Sequence, residues 1–524
     1  MSDITTFQFN KSQFGKIKDY NFGSNWPVVY LIEGDKELYV GETINVYNRS
    51  NQHYDNPERR RLKTIHIITD EEYNKSAALD IESSLIEYIS ADGQYTLQNG
   101  NQGLKNHNYF DREKYQAKFE EIWKELKRRS MVKNDLIQIR NSDLFKYSPY
   151  KALTIEQAAI VDELVHEIKQ GINQTFIIRG GAGTGKTILA TFLFKQLSEL
   201  KETSALKVAL VVPMTSLRKT IKKVFKNIKG LSSSQVIGPS EVSKRYDILI
   251  VDEAHRLKQR KNITNYKSFD DTNKLLGLDK KSNELDWIIK SSNIQILFYD
   301  EGQSIRPSDI ASSNFSNLTV KEFELRDQLR ISMGLDGEKY IKFIQDIFDL
   351  RKIADSKFDH YDFKIYDDIR QMVSGIKKKN DQLDLCRMVS GFSWPWISRN
   401  DPNKHDIEID GLKLRWNSVN HDWVYSKNAI NEVGCIHTVQ GYDLNYAGVI
   451  IGPELSYDPI KHEFVIYRDK YMDINGRNGV DDIKELERYI INIYKTLLVR
   501  GIEGTYVYIV DEELRKYFKE VIKH

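Results

Sequence analysis

The sequence predicts an α/β protein: a small mixed α/β unit followed by two tandem units, each built on a parallel sheet covered on both faces. Three observations predict it. The runs FIIRG, KVALVVP, YDILIVDE and IQILFYD are apolar, β-branched and of strand length, and helical stretches separate them. Strands buried on both faces read this way. A second set, DLCRMVSG, AGVIIG and TYVYIVD, repeats the alternation nearer the C-terminus. Residues 1–108 differ from both, being rich in Tyr and Asn with strand and helix signals mixed. A chain of 524 residues has room for about three domains. The boundaries fall at 1–108, a helical connector at 109–150, a first sheet unit at 151–318 and a second at 319–524 with an insertion near 395–430.

Bulk composition excludes several classes. Formal net charge is +2, so there is no global positive field, and any contact with nucleic acid rests on local patches. The two cysteines, Cys386 and Cys435, make no disulfide framework and have no metal-ligand spacing; they read as small buried hydrophobes. No apolar run approaches the roughly 18 residues of a membrane span. The start, MSDITTFQFNKSQF, lacks the charged and apolar regions of a signal peptide. These features predict a soluble, cytoplasmic protein with no membrane partner. Oligomeric state is not readable.

In the N-terminal unit, NWPVVYLIEGDKELYVGETINVYNRSNQHY contains two strands around Gly34-Asp35. Gly-Asp suits a two-residue type II′ turn. That turn pairs Glu33 with Lys36 and sets Tyr30 across from Tyr39 on one face. Asn45 then caps a short helix, on which Arg49 and His53 share a face at i and i+4. A strand, KTIHIIT, precedes the helix SAALDIESSLIEYIS. Ala78, Leu85, Ile86 and Ile89 form its core side, and Glu82 projects from that side. A carboxylate there is costly without a metal or cation partner. Glu87 lies about 140° away and reads as solvent-facing. Arg59, Arg60 and Arg61 with Lys63 read either as a track for a phosphate backbone or as a solvated loop. In the connector, Phe110, Phe119, Ile122, Trp123 and Leu126 fall at helical spacing, and KYSPYK reads as a turn.

The strongest motif is FIIRGGAGTGKTILATFLF, a strand, a glycine-rich turn and a helix. Gly180 to Thr187 fit the phosphate-binding pattern in the right setting. Gly181, Gly183 and Gly185 let backbone N–H groups turn inward around phosphate oxygens, and the helix N-terminus adds partial positive charge. Lys186 reaches the β- and γ-phosphates, and Thr187 holds Mg²⁺. Further on, YDILIVDEAHRL ends an apolar strand in Asp252-Glu253. Asp252 is placed to bind Mg²⁺, and Glu253 to orient and deprotonate the attacking water. ATP is the expected nucleotide.

GGAGTGKT, DEAH, FYDEGQSIRP, LRDQLR, IHTVQGYDLN and LLVRGIEGTYVY, in that order, resemble the motif series of superfamily 1 helicases, and within them the Schlafen-type helicase/ATPase domain. The resemblance covers about residues 151–524 and implies two RecA-like units. It implies that Gln157 reads the adenine edge and that Gln303 senses the γ-phosphate. Arg330 and Arg500 approach that phosphate from the second unit, and Thr438, Gln440 and Gly441 couple the cleft to a nucleic-acid strand. Gln440 stands where many superfamily 1 helicases carry lysine. ATP hydrolysis is thus implied, whereas strand separation, translocation and a switch-like cycle stay open.

Residues 25–108 resemble the GIY-YIG nuclease family. VVY at 28–30 stands for the first motif half and YVG at 39–41 for the second; Arg49, His53 and Glu82 follow in order, and Asn99 in LQNGNQG stands for the late asparagine, with Asn101 and Asn106 nearby. Val28 and Val29 replace the family's Gly and Ile. The resemblance implies phosphodiester hydrolysis with one divalent metal, Mg²⁺ or Mn²⁺, on Glu82. Arg49 offsets transition-state charge, and Tyr30 or Tyr39 helps activate water. His53 assists proton transfer or positions a tyrosine. The general base stays unassigned among Tyr30, Tyr39 and His53.

Together these readings predict a metal-dependent nuclease coupled to a helicase-like ATPase, with DNA favoured over RNA as partner. Such a pairing suits restriction of foreign DNA, including anti-phage defence. Two alternatives stand: an RNA-cleaving or RNA-remodelling ATPase, and a nucleotide-gated scaffold whose nuclease unit only binds. LKQRKNITNYKSFDDTNKL, charged and polar, reads either as a nucleic-acid contact or as an exposed insertion, the insertion favoured. Trp394, Trp396, Trp416 and Trp423 offer either base stacking or buried packing.

Overall fold

A computed structural model describes residues 3–99, 112–242, 244–330, 335–353 and 357–522. Phe110, Asn101 and Asn106 lie outside these residues. The chain divides into two compact units, one of Met1–Ile172 with Thr187–Leu206 and Thr220–Gln235, the other of Asn173–Lys186, Lys207–Lys219 and Val236–His524.

The first unit carries a five-stranded sheet in the order β1-β4-β2-β3-β5, with β1 Asp3–Gln8, β2 Val28–Glu33, β3 Glu37–Thr43, β4 Thr64–Thr69 and β5 Thr96–Leu97. Helix α1 is Phe14–Lys18, and α2, Val46–Asp55, starts at Asn45, whose side chain accepts from Asn48 N. A single turn, α3 (Pro57–Arg60), follows. The expected hairpin register is corrected here. Glu33 pairs with Leu38, not Lys36, and Tyr30 pairs with Gly41, not Tyr39. Gly34 N bonds Glu37 O at 2.8 Å, so the turn is wider than two residues and the register moves by two. A shift of two preserves the face. Tyr30 and Tyr39 therefore remain on one side as diagonal neighbours, their ring centroids 6.2 Å apart.

Helix α4 (Lys75–Asp92) is capped by Asn74 at its start and by Gly93, at φ +70°, at its end. It buries Ala78, Ile81, Leu85, Ile86 and Ile89. The connector contains α5 (Arg112–Arg128), α6 (Leu136–Arg140) and α7 (Asp143–Lys146), and all three pack on α4. Tyr88 meets Phe119 at 5.1 Å and Phe145 at 4.6 Å between ring centroids. Residues 112–150 thus belong to the compact first unit. The same packing corrects the reading of Glu87. Its side chain is 19% exposed and lies 3.5 Å from Lys151, and burial raises its carboxyl above the usual range. Helix α8 (Ile155–Lys169) follows.

The second unit holds two sheets. One has six parallel strands in the order β11-β6-β10-β9-β7-β8: β6 Thr175–Gly180, β7 Val208–Val211, β8 Val236–Ile237, β9 Tyr246–Val251, β10 Ser292–Tyr299 and β11 Val320–Leu325. The apolar runs read as strands are β6, β7, β9 and β10. The boundary at 318 needs correction. Val320 to Leu325 pair along the whole of β6, so β11 closes the first sheet instead of opening the second. Its charged, mostly part-exposed VKEFEL sequence fits an edge strand. The other sheet has seven strands in the order β12-β20-β17-β13-β16-β15-β14. These are β12 Asp362–Tyr366, β13 Cys386–Ser390, β14 Ile407–Ile409, β15 Leu412–Trp416, β16 Glu432–Cys435, β17 Leu444–Ile451 and β20 Gly501–Ile509; a separate hairpin joins β18 Leu455–Asp458 to β19 Glu463–Ile466. The insertion near 395–430 supplies β14 and β15, which extend the sheet edge. Trp416 and Trp423 are fully buried within it. Both cysteines are free and buried. No described helix is long and apolar enough to cross a membrane.

Candidate functional site

A parallel sheet delivers the C-terminal ends of its strands to one rim, where ligands bind. Four connections meet there in the first sheet: the glycine-rich loop after β6, Asp252-Glu253 after β9, Asp300 to Gln303 after β10, and Arg326 to Arg330 after β11. Gly183 and Gly185 take φ of +83° and +80°, which the loop's reversal needs and which side chains resist. Helix α9 (Lys186–Glu199) starts at the lysine, and Thr187 follows it. Lys186 Nζ donates to Gly180 O at 2.7 Å, Gly181 O at 2.8 Å and Asp300 Oδ2 at 3.2 Å. Asp300 Oδ2 also accepts from Gln303 Nε2 at 2.6 Å. Sequence reasoning passed over Asp300, although it ends β10 as Asp252 ends β9.

The segment after β11 lies against the loop. Gln328 Nε2 donates to Ala182 O, and Leu329 N to Gly183 O, both at 2.8 Å. A Cβ on Gly183 would lie 2.0 Å from Gln328 Oε1 and 2.9 Å from Arg330 Cβ, at a positive φ that side chains resist, so glycine suits this place under the strap.

Asp252 is fully buried, with Oδ1 accepting from Glu253 N at 3.1 Å. Glu253 sits at φ +54°, a left-handed conformation costly for a side-chain residue and common at functional sites. Its Oε2 is 2.9 Å from His255 Nε2, close enough for an ion pair but not aligned as a hydrogen bond. Burial alone would raise Glu253. Its neighbours His255, Lys186 and Arg500 outweigh it and hold the carboxyl below the usual range. Arg500 is buried and donates to Tyr442 O at 3.4 Å. Arg330 donates from Nε to Asp443 Oδ1 at 2.6 Å and from Nη1 to Val499 O at 3.3 Å. Glu253, Lys186 and Arg500 therefore share one electrostatic neighbourhood. Gln157 lies in α8 of the other unit. It is buried, and it exchanges two 3.2 Å bonds with Thr154 as a capping box.

Thr438 and Gln440 line a cleft of about 1020 Å³ in the second unit, together with Thr215, Arg256, Trp396 and Arg399. Thr438 Oγ1 is 3.3 Å from Cys435 Sγ, and Gly441 takes φ +94°. On the cleft wall Asp473 Oδ2 lies 2.8 Å from His437 Nε2 and accepts from Arg306 Nε at 3.2 Å. Burial, reinforced by Arg306, pushes His437 down to about 4.

In the first unit the sheet brings Tyr30, Tyr39, Arg49, His53 and Glu82 together. Tyr30 Oη is 2.7 Å from His53 Nε2, and the Tyr39 and His53 ring centroids are 4.7 Å apart. Arg49 interacts with both phenols and also donates to Gln52 Oε1 at 2.9 Å. Burial raises Tyr30 well above the usual phenol range, with Tyr39 and Glu82 adding to it. Burial and the neighbouring Glu42 raise Glu82 to about 7. A half-buried carboxylate beside a second one fits a divalent cation, which would relieve both charges. Among the described residues no group of three or more His, Cys, Asp or Glu side chains is placed to hold a metal ion. Asn99 is engaged with backbone: its side chain accepts from Val40 N at 3.0 Å and donates to Val40 O at 2.8 Å.

The basic run is not a free patch. Arg60 donates to Tyr54 O at 2.8 Å, Arg61 to Glu37 Oε1 at 2.8 Å and Lys63 to Asp35 Oδ1 at 2.6 Å. Arg59 turns inward, its Nη1 2.7 Å from His53 Nδ1 and its guanidinium 4.0 Å from the Tyr39 ring centroid.

Three comparisons with known proteins bear on this geometry. An uncharacterized protein of Saccharomyces cerevisiae is 29% identical over 426 residues, covering 70% of this chain and 90% of that protein. Among solved structures, the Pif1 helicase of Candida albicans aligns at TM-score 0.29 and 10% identity, covering 70% of this chain and 99% of that one. A Bacteroides Pif1 helicase in complex with ADP-AlF3 and ssDNA aligns at TM-score 0.29 and 11% identity, covering 70% and 96%. Scores this low carry no argument about this chain. The family comparison does: the model of the Schlafen group 3 DNA/RNA helicase domain matches residues 173–511, well over half the sequence and all four connections of the nucleotide rim. The chain belongs to the Schlafen group 3 DNA/RNA helicase domain family.

Proposed function

We propose that this helicase-family ATPase is joined to a metal-dependent nuclease: the second unit hydrolyses ATP while engaging a nucleic-acid strand, and the first unit cuts phosphodiesters. At the ATP site Lys186 neutralises the β- and γ-phosphates. Thr187 and Asp252 would hold Mg²⁺, which would supply further charge compensation. Glu253, kept ionised by its cationic neighbours, orients and deprotonates the attacking water. Arg330 and Arg500 offset charge that develops in the transition state. Gln303 contributes γ-phosphate recognition. The strand would run in the cleft bearing Thr438 and Gln440, with Gly441 shaping the turn behind it. Arg399 and Arg256 would meet phosphates and Trp396 a base.

The observation that carries the nuclease half is the convergence of Tyr30, Tyr39, Arg49, His53 and Glu82 on one face of a small sheet. Glu82 would hold Mg²⁺ or Mn²⁺, whose role is to polarise the phosphate. Tyr30 or Tyr39 helps orient and activate the water, Arg49 balances the added negative charge, and Asn99 helps hold the edge of β3. DNA is the favoured substrate. Restriction of foreign DNA, anti-phage defence included, is the biological role we assign; unchanged phage sensitivity and plasmid uptake after gene deletion would count against it.

The test is cleavage of labelled single- and double-stranded DNA and matched RNA, with Mg²⁺ or Mn²⁺, with and without ATP. Loss in Glu82→Ala and an altered rate in Lys186→Ala support the coupled reading. Cleavage that survives Glu82→Ala removes the nuclease site. Tight binding without any cleavage leaves a nucleotide-gated scaffold, and preference for RNA moves the substrate.

A further inference from the structure

The geometry points to Arg59 as a positioning residue that fixes the tautomer of His53, making His53 a hydrogen-bond donor to Tyr30 and removing it as a candidate general base. The argument follows from donor counting. A guanidinium has only donors. With Arg59 Nη1 at 2.7 Å, His53 Nδ1 must present its lone pair. A neutral imidazole carries one N–H, which is then on Nε2, and the atom facing Nε2 at 2.7 Å is Tyr30 Oη. Tyr30 oxygen therefore receives a proton-bearing nitrogen and cannot pass its own proton to His53.

The surroundings reinforce this. His53 is buried, and the charges that face it are both positive: Arg59 from α3 and Arg49 from its own helix. Burial first, then these two cations, hold it down to about 3, so it stays neutral at working pH. The phenols of Tyr30 on β2 and Tyr39 on β3 face the ring, and the carboxylate of Glu82 on α4 acts on Tyr30. Stacking on Tyr39 keeps the Arg59 guanidinium in place. His53 then steadies the Tyr30 oxygen by donating from Nε2 and takes up no proton from it.

The catalytic consequence rests on the nuclease reading; the tautomer does not, and the test separates them. Nitrogen NMR of the full chain with ¹⁵N-labelled histidine reads the tautomer without substrate, with His53→Gln identifying the resonances. The wild type should show Nε2–H and no titration between about pH 6 and pH 8. Arg59→Met should give mixed tautomers and a titration in that window, and Arg59→Lys, which keeps a donor, should restore the wild-type pattern. An Nδ1–H wild type, or an unchanged Arg59→Met, overturns the proposal. In cleavage, the ratio of Arg59→Met to wild-type rate should rise several-fold from about pH 8 to about pH 6, because an imidazolium again donates from Nε2. A pH-independent ratio overturns the positioning role. The NMR pattern without any wild-type cleavage supports the tautomer and removes the nuclease reading.

Discussion

The Tyr30 phenol lies flat over Gly41: a Cβ at that glycine would come within 2.3 Å of Tyr30 Oη and 2.4 Å of its Cζ. The glycine of YVG is thus the floor on which the first tyrosine rests. Gly41→Ala should lower cleavage at least about 100-fold by displacing Tyr30 from His53, a misplacement of the size that proximity effects punish. Overpacking of this kind costs about 1–3 kcal/mol, so the chain should still fold. A melting curve beside a cleavage assay checks both; normal cleavage by a folded variant would show that Tyr30 has no part in the chemistry.

Glu82 gives a pH signature. Its carboxyl is raised to about 7 by burial and by Glu42. Between the usual carboxylate range and about 7, the folded state holds a proton that the unfolded chain has released. The fold therefore gains on acidification and loses as pH rises through about 7. Glu82→Gln should raise the melting temperature at about pH 8 and have little effect at about pH 5, while abolishing cleavage. Mn²⁺ should stabilise the wild type at the higher pH and not the variant. A melting temperature that does not respond to Mn²⁺ would separate Glu82 from metal binding.

Much of this was legible in the sequence, and the failures have two causes. The loop from Gly180 to Thr187 and the pair Asp252-Glu253 could be placed because contiguous apolar strands fix where their C-terminal ends lie. Two errors, at Glu87 and β11, involved partners distant in sequence, and the other two turned on local backbone geometry. The Gly34 turn differs from a two-residue hairpin by one backbone bond to Glu37. Glu87 looked exposed because helix periodicity says nothing about α5 to α7 covering the second face. β11 was assigned to the wrong sheet because a crossover to β6 leaves no local mark. Arg59 read as one of three equivalent arginines, since only the turn of α3 distinguishes the one that points at His53.

The arginines predict a kinetic split. Arg330 is held by Asp443, and Arg500 by the Tyr442 carbonyl. Arg500→Ala should lower the ATPase kcat about 100–1,000-fold, as removal of a transition-state charge does, with little change in ATP affinity. Asp443→Asn should change kcat less, because it loosens the orientation of Arg330 and leaves its charge in place. Single-turnover hydrolysis with a fluorescent nucleotide resolves binding from chemistry. A loss confined to affinity would assign Arg500 to ground-state binding.

The cleft predicts how nucleic acid is held. Trp396 and Arg399 both line it, and they act by different physics. Trp396 packs near Phe392, 6.1 Å between centroids, and Phe392 stacks on the buried Trp416 at 5.6 Å, so the indole has a rigid backing. Base stacking is worth about 1–3 kcal/mol, so Trp396→Ala should weaken single-strand binding by about 5–150-fold at every salt concentration. Arg399→Ala removes a phosphate contact instead. It should weaken binding most at low salt and flatten the slope of log affinity against log salt by about 1. Titrations of labelled oligonucleotide at several salt concentrations distinguish the two. Equal slopes for wild type and Arg399→Ala would place the phosphate backbone elsewhere, and unchanged affinity in both variants would take the strand out of this cleft altogether.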